Sequence, residues 1–183
     1  MDVKTAIEKR RAYRVLQPIK IDNSIIEQLV NAAKLAPSCF NKQPWKYLFI
    51  KSDEMLYKMK AVFAKGNEWT FDASLIIVVF GKKEDDCIIK DRFYYQFDIG
   101  LSSAFMILRA TEMGLVAHPI AGYSPKKVKE LTNIPTDMDV ITLILVGERA
   151  EPKNQELAEK LAAEDPRPKR KENNDFVFYE TYQ

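Results

Sequence analysis

The residues most able to take part in binding or catalysis are basic and lie near the N-terminus. Four cations fall within six positions: Lys9, Arg10, Arg11 and Arg14. Asp2 is a good helix N-cap and predicts a helix that runs to about Tyr13, before a break at Pro18. On such a helix Arg14 lies about one turn from both Arg10 and Arg11. The cluster then fits either an anion site, where a phosphate or carboxylate relieves the repulsion between guanidinium groups, or a solvated basic face.

A loop bounded by two prolines is the second candidate for chemistry. Between Pro37 and Pro44 it carries three short hydrogen-bonding side chains: Ser38, Asn41 and Gln43. The prolines fix the path of the loop, and such side chains suit the heteroatoms of a planar ring. By composition alone, the segment also fits an ordinary loop.

Several other kinds of site are excluded by what the sequence lacks. The six glycines are dispersed, so neither a G-x-G-x-x-G motif nor a P-loop can be written, and no G-x-S-x-G motif occurs. His118 is the single histidine, which excludes multi-histidine metal sites, and we interpret it as structural. Cys39 and Cys87 share no metal or redox spacing, so we expect neither a disulfide framework nor a metal site. The reactive group of any enzyme here should come from a cofactor.

Length and composition predict a soluble globular protein. The chain has 183 residues, of which 46% are hydrophobic, enough for one sizeable core. A net charge of +2 gives no reason to expect nucleic acid as a partner. No segment is apolar enough to span a membrane, and the N-terminus does not resemble a secretory signal, so we expect a cytoplasmic location.

The apolar patterns predict the elements that must position these groups. Helices are expected at 2–13, 22–36, 53–64, 91–113 and from 124 onward, and strands at 45–50, 74–81 and 140–147. The strand at 74–81 is apolar throughout, which predicts a central strand covered on both faces. The helix at 91–113 is apolar on nearly every side between 99 and 108, which indicates a partner subunit. A polar arm at 150–175 leads to a β-prone segment at 176–179 that needs a sheet to join, and a partner chain could supply it.

Two strings in the sequence resemble the nitroreductase family of flavoenzymes. R-R-A-Y-R at 10–14 is similar to the family's R-R-S-x-R motif, and P-S-C-F-N-K-Q-P-W at 37–45 is similar to its P-S-x-x-N-x-Q-P-W loop. Further matches follow in order at 72–79, 98–115, 119–123, 167–171 and 176–178. The resemblance implies an α+β fold, with a mostly antiparallel central sheet flanked by helices, in an intertwined homodimer. Residues 1–183 would form a single FMN-binding domain whose C-terminal arm, 150–183, reaches the partner subunit.

The resemblance also implies a set of cofactor-binding residues. The FMN phosphate would be held by cations: Arg10, Arg11, Arg14 and either Lys169 or Arg170. The other subunit would contribute residues of the second motif: Pro37, Ser38, Cys39 and Asn41. Backbone N–H groups of Ala121 and Gly122 would face the flavin N5, and Asn67 is either a further flavin contact or a plain turn residue. The sequence departs from the family's pattern in having Ala12 and Cys39 where serine is common, and Ala121 where larger members are often acidic.

The function implied by the resemblance is electron transfer through a flavin. An FMN-dependent oxidoreductase would pass electrons from NADH or NADPH through the flavin N5 to an electrophilic acceptor, such as a nitroaromatic or a quinone, in a ping-pong sequence. No catalytic side chain is expected, because the flavin carries the chemistry. Three alternatives stay open: a specialised member such as a dehalogenase, a non-catalytic FMN-binding protein, and a basic-helix interaction module without flavin.

Overall fold

The computed structural model describes residues 1–182. The regular elements in chain order are α1 (Val3–Lys9), β1 (Leu16–Gln17), α2 (Asn23–Ala33), β2 (Lys46–Ile50), α3 (Asp53–Met59), β3 (Leu75–Gly81), β4 (Ile88–Ile89), β5 (Arg92–Phe93), α4 (Tyr95–Glu112), β6 (Val116–Ile120), α5 (Pro125–Thr132), β7 (Asp139–Arg149) and α6 (Gln155–Glu164). Contacts divide the chain into a first unit, Met1–Ala150, and a second unit from Glu151 onward. No helix in residues 1–182 has the length and apolar character needed to cross a membrane.

One antiparallel sheet organises the first unit. Its strands are in the order β1-β7-β3-β2, and β6 also pairs with β7. β3 is central, as its apolar run predicts, and each residue from 75 to 79 is at most 2% exposed. Successive side chains of β3 alternate between two apolar clusters, one built with α3 and α5 and the other with α2 and α4. The predicted α+β class with a mostly antiparallel, helix-flanked sheet is therefore confirmed.

The N-terminal helix is shorter than the sequence predicts. Asp2 caps α1 by accepting from the Thr5 N–H at 2.8 Å, but the helix ends at Lys9. Arg10 leaves the helical region with φ −55° and ψ 122°. The following segment is extended because it joins the sheet, where the Ala150 N–H donates to the Val15 carbonyl at 3.0 Å. Sheet pairing outweighs the local preference for helix, so the predicted one-turn spacing of the arginines does not apply.

The long helix also begins later than predicted. α4 starts at Tyr95 rather than near Asp91, because 88–93 form the β4–β5 hairpin with Lys90 at φ 60° in its turn. The predicted helix at 53–64 likewise ends early, at Met59, and continues as a 3₁₀ turn over Lys60–Val62. The N-caps of α2 and α5 are Asp22 and Ser124, where the sequence predicted them.

The second unit contains one α-helix and an irregular aromatic segment. Asn154 caps α6 by accepting from the Leu157 N–H at 2.8 Å. The strand predicted at 176–179 does not form in the described part of this single chain, where Asn173–Asp175 is a 3₁₀ turn. An extended segment without a neighbouring strand has no ladder to join, so the aromatic side chains here stay largely exposed. Pairing with a partner chain stays a prediction.

Candidate functional site

Aromatic rings, rather than a helix face, order the basic residues. The Arg14 guanidinium carbon lies 5.8 Å from the centroid of the Trp69 ring, and that of Arg11 lies 5.1 Å from the Tyr13 ring. Arg149, at the end of β7, also lies over Tyr13, at 4.2 Å. These are cation–π distances. The cations are therefore grouped beside β1 and β6, at one edge of the sheet.

Trp69 connects this basic group to the next part of the site. Its ring stacks on His118 of β6, with centroids 4.6 Å apart and planes 28° apart. His118 Nδ1 lies 3.1 Å from the Tyr13 carbonyl oxygen, which can only accept, so Nδ1 carries the proton in this contact. The Trp69 Nε1–H donates to Asn67 Oδ1 at 3.2 Å. His118 thus packs against Trp69 and is held by the Tyr13 carbonyl.

Asn67 fixes the turn that follows β6. Its Nδ2 donates to the Gly122 carbonyl at 3.1 Å, and the Ala64 N–H donates to the same oxygen at 2.9 Å. A Cβ at position 122 would overlap the Asn67 amide, which explains the glycine by space rather than by backbone angle. Among the described residues, the N–H groups of Ala121 and Gly122 have no hydrogen-bond acceptor. Two backbone donors are therefore presented at the surface of this turn.

The proline-bounded loop lies at the other edge of the sheet, before β2. The Cys39 N–H donates to Asp98 Oδ2 of α4 at 2.7 Å, and the Gln43 N–H donates to Ser38 Oγ at 3.0 Å. Three of its residues are left-handed: Phe40, Asn41 and Gln43, with φ of 49°, 57° and 50°. Each such residue costs about 1 kcal/mol or more, and backbone strain of this kind concentrates at ligand sites. Phe40 is 88% exposed, so burial of its ring does not compensate for the strain.

A disulfide between Cys39 and Cys87 contradicts the expectation from the sequence. The two Cα atoms are 6.1 Å apart although 48 residues separate the cysteines. Sequence spacing missed the pair because the fold, not the local sequence, brings the segment after β3 against the proline-bounded loop. One Asp86 carboxylate oxygen and both sulfur atoms lie within 4.8 Å of one another.

Asp86 is an unusual member of this group. It is 3% exposed, and its Oδ1 accepts from the Cys87 N–H at 2.7 Å. Its Oδ2 is buried and has no hydrogen-bond partner among residues 1–182. Burial raises the pKa of Asp86, and the nearby Asp98 carboxylate raises it further.

The predicted site residues fall into separate groups within one chain. The turn at 121–122 follows the edge strand β6, whereas the loop at 37–44 precedes the opposite edge strand β2. Three inter-strand steps separate these edges, which is about 14 Å. Lys169 and Arg170 belong to the second unit, where Lys169 Nζ lies 4.0 Å from Glu172 Oε1. The two groups of predicted residues therefore lie apart within one chain.

An exposed apolar surface of α4 is available to a second chain. Phe97 and Phe105 are 63% and 40% exposed, and a Cβ at Gly100 between them would meet nothing within 4 Å. An apolar groove of about 380 Å³ adjoins this surface, and its lining includes Val3 and Leu35. Contiguous exposed apolar area of this kind marks interaction surfaces.

Sequence reasoning missed four residues that build the site: Tyr13, Trp69, Asp86 and Arg149. Trp69 had a usable signal, because it lies two positions from Asn67 in a short connection before the central strand. Asp86 precedes a cysteine, but only the fold reveals that it is buried beside the disulfide. Nothing in the local sequence distinguishes Arg149, which is only partly exposed, from the exposed cations of the chain.

The fold, the cations beside β1 and β6 and the loop at 37–44 together define a class of α+β proteins with a basic sheet edge and a proline-bounded loop. The family model described as "Nitroreductase family" matches residues 7–68. An Archaeoglobus fulgidus protein, provisionally named as an NADH dehydrogenase/NAD(P)H nitroreductase, is 30% identical over 145 residues, covering 77% of this chain and 82% of the relative. The chain belongs to the nitroreductase family.

Two further similarities concern the fold and the range of relatives. A crystal structure from Exiguobacterium sibiricum, described as a provisionally assigned nitroreductase in complex with FMN, has a TM-score of 0.81 at 22% identity and covers 98% of each chain. An iodotyrosine deiodinase from Haliscomenobacter hydrossis is 26% identical over 167 residues, covering 76% of this chain and 69% of the relative.

Proposed function

We propose that the protein is an FMN-dependent oxidoreductase that takes electrons from NADH or NADPH and passes them to an electrophilic small molecule, such as a nitroaromatic or a quinone. The observation that carries the proposal is a row of contacts at one sheet edge, from Arg14 through Trp69 and Asn67 to Gly122. The row begins at a cation and ends at two backbone donors.

The residues present fit the chemical demands of FMN. A phosphate needs cations, which Arg11 and Arg14 supply, and the ring needs hydrogen-bond donors, which the turn at 121–122 supplies. His118, which lies under Trp69, and Gly122 are four residues apart, at most about 14 Å along the chain. This spacing suits an elongated ligand with an anion at one end. A protein with the same fold was crystallised in complex with FMN, which supports the same cofactor here.

When bound, FMN supplies the two-electron chemistry between the nicotinamide and the acceptor. The residues of the chain would bind and orient the participants. The N–H groups of Ala121 and Gly122 would stabilise negative charge that develops at the ring edge they face. Ser38 and Asn41 would complete the site from the partner's loop.

Tyr123 is a poor candidate for a proton donor, although it follows this turn directly. Its hydroxyl donates to the Val140 carbonyl at 3.0 Å, and burial raises its pKa to about 12. The phenol therefore stays protonated at neutral pH and is already engaged. This supports a site in which backbone donors, rather than a titrating side chain, assist the reaction.

A homodimer would unite the two edges at one site. The exposed surface of α4, with Phe97, Gly100 and Phe105, would form the centre of the interface. The exposed aromatic residues of the second unit would reach the partner, as the sequence predicts for the arm. This arrangement explains why neither edge alone provides both the cations and the loop side chains.

Reductive dehalogenation of a halogenated phenol is a second candidate, because a relative of comparable identity is named as an iodotyrosine deiodinase. The same cofactor site would serve, with a different acceptor. A third possibility is an FMN-binding protein without turnover.

Anaerobic reduction of the purified protein tests the proposal. FMN should co-purify or bind at one per chain, and NADH or NADPH should bleach its absorbance. Reoxidation by a nitroaromatic, a quinone or a halotyrosine then identifies the acceptor class. Bound flavin that neither nicotinamide reduces would leave only the non-catalytic alternative, and a protein that does not bind FMN would refute the proposal.

A further inference from the structure

We infer that Cys39 and Cys87 form a reversible redox centre, which exchanges two electrons with a dithiol and uses Asp86 as its proton donor. The inference does not rest on the proposed flavin chemistry. It assigns a function to the one carboxyl group of the described chain that is buried with an unpartnered oxygen atom.

Neither the Cys87 N–H nor the Asp98 carboxylate, with which a protonated Asp86 can share a hydrogen bond, supplies a donor to the Oδ2 of Asp86. A buried oxygen without a partner costs roughly 1 to 3 kcal/mol, and native proteins keep few of them. Asp86 incurs this cost beside the disulfide: one of its carboxylate oxygens and the two sulfur atoms lie within 4.8 Å of one another. A carboxyl group at this distance can reach a thiolate that forms when the disulfide opens.

The charges around Asp86 favour its protonated form. Burial raises its pKa and the hydrogen bond from the Cys87 N–H lowers it, while Asp98 of α4 raises it further and Lys42 of the loop lowers it. Burial is the largest of these effects. Asp86 therefore holds its proton to a higher pH than an ordinary aspartate.

The two sulfur atoms are not equivalent, and this sets the direction of exchange. Cys39 lies on the loop and is partly exposed, whereas Cys87 is only 7% exposed and follows Asp86 directly. An incoming thiolate would reach Cys39 Sγ first, so the Cys87 sulfur would be the leaving group. The acid then lies beside the atom that needs a proton.

The electrons and protons balance in two steps. In the first, the dithiol's thiolate attacks Cys39 Sγ, the Cys39–Cys87 bond breaks, a mixed disulfide forms, and Asp86 gives its proton to the Cys87 thiolate. In the second step, the remaining thiolate of the dithiol attacks the dithiol sulfur that is bonded to Cys39. This closes the dithiol into a ring and releases Cys39 as a thiolate. Cys39 and Asp86 each take a proton from water. The dithiol is oxidised to a cyclic disulfide, and the cysteine pair is reduced to two thiols.

Equilibration with reduced and oxidised dithiothreitol tests the reversibility. The purified protein is quenched with a maleimide, and the alkylated cysteines are counted by intact mass. We expect a single transition between no label and two labels, which runs in both directions. Cysteines that stay reduced in excess oxidised dithiothreitol, or thiols that instead retain one zinc ion per chain, would overturn the inference.

The role of Asp86 is tested by the rate of reduction. Asp86→Asn keeps an oxygen for the Cys87 N–H but removes the proton donor, so reduction by dithiothreitol should slow at least tenfold. The slowing should diminish at high pH, where Asp86 in the unsubstituted protein has lost its proton. Asp85→Asn is the matched control, because Asp85 pairs with Lys46 rather than with the cysteines, and its rate should not change. Equal rates for Asp86→Asn and the unsubstituted protein would refute the assignment.

Discussion

Replacing Gly122 with alanine should release the turn after β6, because the added methyl group would occupy the position of the Asn67 amide. The backbone at 122 is outside the left-handed region, so alanine can adopt it without strain. The effect of the substitution should therefore be steric and should act through Asn67.

The magnitude follows from the hydrogen bonds that Asn67 would lose. Its amide donates to the Gly122 carbonyl at 3.1 Å and accepts from Trp69 Nε1 at 3.2 Å. Each bond contributes about 0.5 to 1.5 kcal/mol, so the free energy of unfolding should fall by roughly 1 to 3 kcal/mol. Asn67→Ala should cost a similar amount. The double variant should cost no more than Asn67→Ala alone, because the smaller side chain leaves room for the methyl group.

Urea unfolding of the four proteins measures this coupling, and FMN titration reports its effect on binding. Gly122→Ala should weaken FMN binding at least tenfold, or about 1.4 kcal/mol, because the backbone donors move with the turn. Additive losses of stability in the double variant would refute the account, since the methyl group would then act independently of Asn67.

The remaining predictions concern the phosphate, the dimer and the buried carboxyl. Arg14→Ala should weaken FMN binding by about 1.5 to 3 kcal/mol, whereas Lys9→Ala should change it little; equal losses in a fluorescence titration would remove the phosphate assignment. Phe97→Glu should reduce the light-scattering mass to that of one 21.1 kDa chain, unlike Tyr57→Glu on another exposed helix surface, and an unchanged dimer would exclude the α4 interface. The fold raises the pKa of Asp86, so stability is lost as the pH rises through that pKa. Asp86→Asn should therefore stabilise the protein more near pH 7 than near pH 3, as urea unfolding would measure; an effect that does not change with pH would contradict the expectation.

The sheet could be predicted from the sequence because its signals are local. The apolar runs at 74–81 and 140–147 are dense enough to require strands buried on both faces, and the caps Asp22 and Ser124 mark helix starts that tertiary contacts did not change. The end of α1 could not be predicted in the same way. The local sequence at 10–15 is compatible with a helix. The segment is extended because Val15 pairs with Ala150, which lies at the end of the first unit in sequence.

The candidate site was predictable as a set of residues but not as an arrangement. The strings at 10–14 and 37–45 identify the participants, yet neither reveals that they lie at opposite sheet edges. Trp69 joins Arg14 to Asn67 through ring contacts that have no sequence signature. The Cys39–Cys87 disulfide depends on a contact across 48 residues, which spacing rules do not consider.

The flavin content of a mixed dimer tests whether one site is built from two chains. One subunit carries Arg11→Ala with Arg14→Ala, and the other, with a different affinity tag, carries Asn41→Ala. Both parent homodimers should bind FMN poorly. In the mixed dimer one site combines all the substitutions and the other has none, so we expect one FMN per dimer with the affinity of the unsubstituted protein. A mixed dimer that binds no better than either parent would contradict it, because each site would then be built within a single chain.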